Sequence, residues 1–278
     1  MSNDEALAKG YLPDEEMPFH EGMDIYEGSW GDKDRAFDQI RVAMVNTWNL
    51  NTEHLIPEFT PISNQGGAGS CVANGWCDAV EMLVGLEHGE KAVVQLSRRF
   101  AYWISRYLHS ATDFDSGTFL RAMGHQFRKV GVVLEEVMPY SDAEVDIIGK
   151  KASPKLEHYT MASNNRIDGF YRLHSDGQQM LGELEVAIRS NHPVVFAVPV
   201  SKEFTRARGM QTFGPPDKVH GHHCMIAVGV RYVGDQRQWF VRNSWGNWWG
   251  EDGHCWMTDE YMQLSEDTWV GTLKERLI

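Results

Sequence analysis

Long apolar runs are missing from this chain. No stretch approaches the roughly 20 apolar residues that a membrane-crossing helix needs, and the first residues have neither the basic start nor the apolar core of a signal peptide. Cysteine is scarce as well. Cys71, Cys77, Cys224 and Cys255 form no CxxC or CxxH pair, and four thiols in 278 residues do not make a disulfide framework. A cytoplasmic or other reducing compartment is therefore expected, with all four thiols free. Positive charge is in deficit: 26 Lys and Arg stand against 39 Asp and Glu, and the net −13 repels nucleic acid and anionic membranes alike. Neither is expected as a partner.

What the chain does contain is material for a core. Hydrophobic residues make up 42%, with ten Trp, nine Tyr and twelve Phe, a composition that folds. Between Ser70 and Leu86 the apolar residues Val72, Trp76, Ala79, Leu83 and Leu86 form one stripe of a helix, with Asn74, Asp78 and Glu81 on other faces. Leu96, Phe100, Trp103 and Tyr107 predict a second helix, and Leu120, Met123, Phe127 and Val130 a third that stops at Gly131. From about residue 165 the texture becomes β-rich, as in Pro193–Val198, Met225–Val228 and Trp239–Val241.

This segregation predicts an α+β protein in two lobes, a helical lobe over residues 51–164 and a β-rich lobe over 165–278, with a cleft between them. Residues 1–50 read as an acidic extension, because the first 36 carry ten acidic residues against Lys9, Lys33 and Arg35. A short stripe of Phe37, Ile40, Met44 and Trp48 equips this extension to dock on the body as a propeptide or arm.

One cysteine is placed for chemistry. A thiol attacks well only as thiolate, and the first turn of a helix favours that anion through unpaired N–H groups and the macrodipole. The helix begins directly after Gly66-Gly67-Ala68-Gly69 and so places Cys71 in its first turn, whereas Cys77 lies deeper in it and reads as core. Cys224 and Cys255 read as fillers of β-segments. The thiolate needs a histidine to hold its proton. Of twelve histidines, His223 stands out at the mouth of the strand His223–Gly229. Asn243, after the run Trp239–Val241, offers a side-chain oxygen to the imidazole Nδ1–H, and the neighbouring Trp245 shields that bond from water. His220, His222 and His223 are not expected to bind metal, since adjacent strand residues face opposite ways and no thiol stands at zinc spacing.

These segments carry a resemblance. Asn64-Gln65-Gly66-Gly67-Ala68-Gly69-Ser70-Cys71 resembles the NQGxCGSC signature of the papain-like cysteine peptidases. His223–Gly229 resembles that family's H-A-V-x-A-V-G, and Asn243-Ser244-Trp245-Gly246 with Trp249-Gly250 its N-S-W-G-x-x-W-G. The order and the separation of Cys71 from His223 also fit. Leu96–Tyr102, Asp115-Ser116-Gly117 and Pro139-Tyr140 are similar to a compact branch met in bacteria and their viruses. The resemblance implies a two-lobe fold, no cofactor, and a protein or peptide substrate cleaved through a thioester. It implies Cys71 as nucleophile, His223 as base, Asn243 as its orienter, and Gln65 with the Cys71 N–H as oxyanion hole. Ser116 and Gly117 would bind the substrate backbone, Trp245 would cover the histidine, and the N-terminal segment could autoinhibit. Removal of one oxyanion donor typically costs about 2.7–4 kcal/mol in the transition state.

Two departures matter. Ala68 replaces the first cysteine of CGSC, and no cysteine lies near Asp115-Ser116-Gly117, so the family's bridge there is absent. Val72 replaces the usual Trp after the nucleophile. Two rival readings are an acyl transferase of the transglutaminase kind, disfavoured because such enzymes generally use Asp where this chain has Asn243, and a non-catalytic protein on the same scaffold, disfavoured because all four reacting residues are present.

Overall fold

The computed structural model describes residues 10–12, 35–36, 52–174, 177–265 and 267–273. The stripe Phe37, Ile40, Met44 and Trp48 lies outside the described residues. Among them, no helix is long and apolar enough to cross a membrane.

Among the described residues, four helices exceed two turns: α1 (Cys71–His88), α2 (Arg98–Tyr107), α3 (Leu120–Lys129) and α4 (Gly177–Arg189). Helix α1 is the axis of the helical half and is buried on nearly every face. Asn74, Asp78 and Glu81, on faces other than its apolar stripe, are buried too, and cations from elsewhere meet the two carboxylates. Arg98 pairs with Asp78 at 2.5 Å and Glu81 at 2.6 Å, and Arg242 reaches Asp78 at 3.2 Å. Arg242 also binds Glu58, which in turn holds His254. Such a chain of charges is tolerated in a core only when each member is paired; removing one partner typically costs about 3–5 kcal/mol.

Helix α2 starts where Ser97 accepts the N–H of Phe100 at 3.0 Å, an N-cap that satisfies one orphan donor. Helix α3 ends before Gly131, whose φ of +82 and whose approach to the Ala162 carbonyl leave no room for a side chain.

The strands among the described residues are β1 (Arg35–Ala36), β2 (His54–Leu55), β3 (Gly169–Arg172), β4 (Val194–Val200), β5 (Thr212–Phe213), β6 (Gly221–Val233), β7 (Gln236–Arg242), β8 (His254–Thr258) and β9 (Asp267–Thr272). They join one sheet in the order β1-β3-β9-β4-β6-β7-β8-β5, with β2 paired to β6. Strand β2 thus carries residues 54–55, upstream of the helices, across to the sheet. The middle of the sheet is antiparallel: Val198 faces His223 across β4 and β6, and Ile226 faces Arg242 across β6 and β7. Strand β6 is buried from His223 to Val230, whereas His222 is exposed, as strand alternation predicts for the mouth of a strand. Cys224 on β6 and Cys255 on β8 are both buried, and all four cysteines are free thiols.

Candidate active site

Cys71 is the first residue of α1, with the turn Gly66-Gly67-Ala68-Gly69 immediately before it. Its thiol is wholly buried against β6. Burial pushes its pKa up to about 12 and the charge of Asp115 adds to the rise, although backbone N–H groups of Cys224, Val72 and Cys71 pull the other way. The helix terminus alone predicts a thiolate; desolvation wins because the site is covered.

The cover is the N-terminal segment 10–12. Thr118 donates its N–H to the Gly10 carbonyl at 2.9 Å and accepts the N–H of Leu12 at 2.9 Å, so that Tyr11 and Thr118 form a parallel bridge. Gly10 passes so close that a Cβ there would lie 2.7 Å from the Cys71 sulfur and 2.5 Å from the Gly69 carbonyl oxygen. Gly117 faces it from the other side, where a Cβ would meet the Gly10 backbone at 2.8 Å. Tyr11 is buried, with its ring 6.4 Å from that of His222.

His223 is also fully buried. Its Nε2–H donates to Asn243 Oδ1 at 2.7 Å, and the Ser244 N–H donates to the same oxygen at 2.7 Å. Trp245 stacks on the imidazole with centroids 4.3 Å apart, which keeps water from the His223–Asn243 bond. Here the sequence reading is corrected: the nitrogen facing Asn243 is Nε2, not Nδ1. Asn243 follows β7, one strand over from His223, and the distal nitrogen is the one that reaches it. Nδ1 is buried without a hydrogen-bond partner. Burial pushes the His223 pKa down to about 4, with the Asn243 bond opposing. Thiol and imidazole are thus both neutral in this covered state.

Gln65 is buried and held from three directions. Its backbone N–H reaches the Ser244 carbonyl at 2.9 Å, its Oε1 accepts the Ser244 hydroxyl at 2.8 Å, and its Nε2 donates to the Ala68 carbonyl at 3.0 Å. The Tyr140 hydroxyl donates to the Gln65 carbonyl at 2.7 Å. One N–H of the side-chain amide remains uncommitted in these contacts. Ser244 and Tyr140 lie within motifs legible in the sequence, but their roles depend on contacts between residues far apart in the chain.

Ser116 turns its hydroxyl to the Gly117 carbonyl at 2.8 Å, and Gly117 spends its N–H on Tyr102 at 3.0 Å. Backbone pairing with the segment in the cleft falls one residue later, on Thr118, which the sequence reading did not single out. A buried threonine beside a positive-φ glycine is a pattern that many turns share.

A family model described as papain family cysteine protease matches residues 46–269, and the chain belongs to this family. It is a papain-like cysteine peptidase with the two-lobe α+β fold. Among curated relatives, a peptidase C1-like protein of Acanthamoeba polyphaga mimivirus is 26% identical over 227 residues, covering 77% of this chain and 70% of that protein. A probable cysteine protease of Arabidopsis thaliana is 27% identical over 201 residues, covering 70% of this chain but only 40% of the relative. Among solved structures, xylellain, a cysteine protease from Xylella fastidiosa, superposes with a TM-score of 0.77 at 25% identity, covering 97% of both chains. Procathepsin L2 of Tenebrio molitor superposes with a TM-score of 0.72 at 18% identity over 98% of this chain and 80% of its own.

Proposed function

We propose that the chain hydrolyses peptide bonds of protein or peptide substrates in a cleft between a helical lobe, residues 51–164, and a β-rich lobe, 165–278, and that the segment around Gly10 holds the enzyme inactive until it is displaced. The observation that carries the chemical part is the His223–Asn243 bond through Nε2, which leaves Nδ1 as the free nitrogen of a buried imidazole.

With the cleft open to water, the desolvation that holds both groups neutral is relieved. Cys71 passes its proton to His223 Nδ1, and Asn243 keeps the ring oriented. The thiolate sulfur attacks the scissile carbonyl carbon. The developing oxyanion takes hydrogen bonds from Gln65 Nε2 and the Cys71 N–H, both fixed beforehand. His223 Nδ1 then gives its proton to the leaving amine, and the C–N bond breaks. Water, deprotonated by His223, attacks the thioester and releases the acid. The Thr118 N–H and carbonyl, which the Gly10 segment occupies in the covered state, pair with the substrate backbone beside Ser116 and Gly117, and Trp245 protects the histidine.

Autoinhibition rests on the contact between Gly10 and Cys71: no acyl carbon can reach a sulfur already covered by backbone. The experiment is peptide hydrolysis by a Gly10→Arg form, whose side chain cannot fit against the Cys71 sulfur and so opens the cleft, and by Cys71→Ala, Cys77→Ala, His222→Ala and His223→Ala made in that form. Loss is expected for Cys71→Ala and, by about 10²–10⁴-fold or more, for His223→Ala, with Cys77→Ala and His222→Ala retaining turnover. An inactive His222→Ala beside an active His223→Ala would overturn the assignment.

A further inference from the structure

The turn before the nucleophile has to hold Gln65 and the Cys71 N–H in fixed positions, yet it contains three glycines and lacks the bridging cysteine, because Ala68 stands in its place. Something else must remove its freedom. Asp115 accepts the Gly69 N–H with both carboxylate oxygens, at 3.1 and 2.9 Å. The same carboxylate accepts a hydrogen bond from the Tyr102 hydroxyl, and that hydroxyl oxygen accepts the Gly117 N–H at 3.0 Å. Tyr102 is fully buried on α2, a rigid element, so the clamp is anchored in the core. The fit is close: a Cβ at Gly69 would lie 3.1 Å from the Asp115 carboxylate, 3.3 Å from the Tyr102 hydroxyl and 3.4 Å from the Gly117 nitrogen. Two further contacts pin the start of the turn, Gly67 N–H to Asp142 at 2.9 Å and Tyr140 to the Gln65 carbonyl.

We propose that Asp115 and Tyr102 are positioning residues for catalysis: together they lock the oxyanion turn at Gly69 to the substrate-side loop at Gly117, where the resemblance to the CGSC signature implies a disulfide. The clamp acts through the oxyanion donors and touches no substrate itself. A charge-assisted carboxylate contact of this kind is stronger than a neutral one, and it needs no oxidising compartment. This inference rests on the peptidase reading above.

The test is steady-state hydrolysis of a peptide substrate by the full chain and by its Tyr102→Phe and Asp115→Asn variants, each made in the parent and in a Gly10→Arg background that opens the cleft. Tyr102→Phe removes only the hydroxyl and keeps the core ring, so it guards against the chance that Asp115→Asn fails to fold. Loosening the turn is expected to lower kcat roughly 10- to 100-fold, part of the loss seen when an oxyanion donor is removed or displaced, with KM nearly unchanged. The deciding measurement is a double-mutant cycle: with Gln65→Ala already present, Tyr102→Phe should cost no more than about threefold, since the donor it positions is gone. Full additivity with Gln65→Ala, or unchanged kcat in Tyr102→Phe, overturns the clamp while leaving the peptidase assignment intact. Absence of turnover in the Gly10→Arg background itself would instead overturn the peptidase reading, and this inference with it.

Discussion

Replacing Gly10 by alanine should uncover Cys71. The residue sits at φ +129, a region that side chains rarely adopt, and holding a non-glycine residue there costs about 1–3 kcal/mol. The added methyl would also lie 2.5 Å from the Gly69 carbonyl oxygen and 2.7 Å from the Cys71 sulfur, so one partner has to move. The turn is the less able to yield, because Asp115, Asp142 and Tyr140 hold it. Among the described residues, the segment is held by two backbone hydrogen bonds to Thr118, about 0.5–1.5 kcal/mol each, and by burial of Tyr11. A penalty of about 2–4 kcal/mol is comparable to what these contacts supply, and the open population rises by roughly 30- to 1000-fold. The assay is the rate at which iodoacetamide alkylates Cys71 at neutral pH, mapped by mass spectrometry, alongside peptide turnover. Gly89→Ala is the control: its φ is also positive, at +85, but nothing lies within 4 Å of its Cβ position. Alkylation of Gly10→Ala at a rate indistinguishable from that of the parent and of Gly89→Ala would refute the argument.

Other outcomes follow from the same contacts. Ser244→Ala frees the Gln65 side-chain oxygen and should lower kcat by less than Gln65→Ala, for which roughly 10²–10³-fold is expected; equal losses would mean that Ser244 acts otherwise. Arg98→Met leaves Asp78 and Glu81 buried with a partner missing, so urea unfolding should report about 3–5 kcal/mol of lost stability. The pH dependence has a definite sign. His223 titrates near 4 in the folded, covered state and near 6.5 when unfolded, so the unfolded chain binds more protons between those values. Its contribution, on the order of 3 kcal/mol, is complete above pH ~6.5 and is lost as the pH falls towards ~4. Unfolding of His223→Gln should show a shallower decline over that window; an unchanged decline would assign it to other groups. His125, also pushed down to about 4 by burial and by the neighbouring Arg121, Arg128 and Lys129, acts with the same sign.

The sequence by itself determined the elements and pointed to the groups proposed to react. Apolar spacing placed α1, α2 and α3 within a few residues of their observed limits, because a buried stripe on a 3.6-residue period leaves a local trace. Cys71 after a glycine turn, His223 at the start of a strand and Asn243 before Ser-Trp-Gly were legible for a similar reason: the roles proposed for them demand particular residue types in a short local frame. Tertiary structure alone decided how those groups are held. The buried chain from Glu58 through Arg242, Asp78 and Arg98 to Glu81 joins residues that look, one by one, like surface charges. Which imidazole nitrogen meets Asn243, and which residue pairs with the segment in the cleft, are questions of ångströms between strands and loops. Gly10 lies in a polar, acidic stretch with no periodicity to single it out, and its significance appears only where its backbone crosses the Cys71 sulfur. Hydrophobic patterning records what each segment buries; it does not record which distant backbone comes to cover a thiol, because that contact is made by a residue with no side chain.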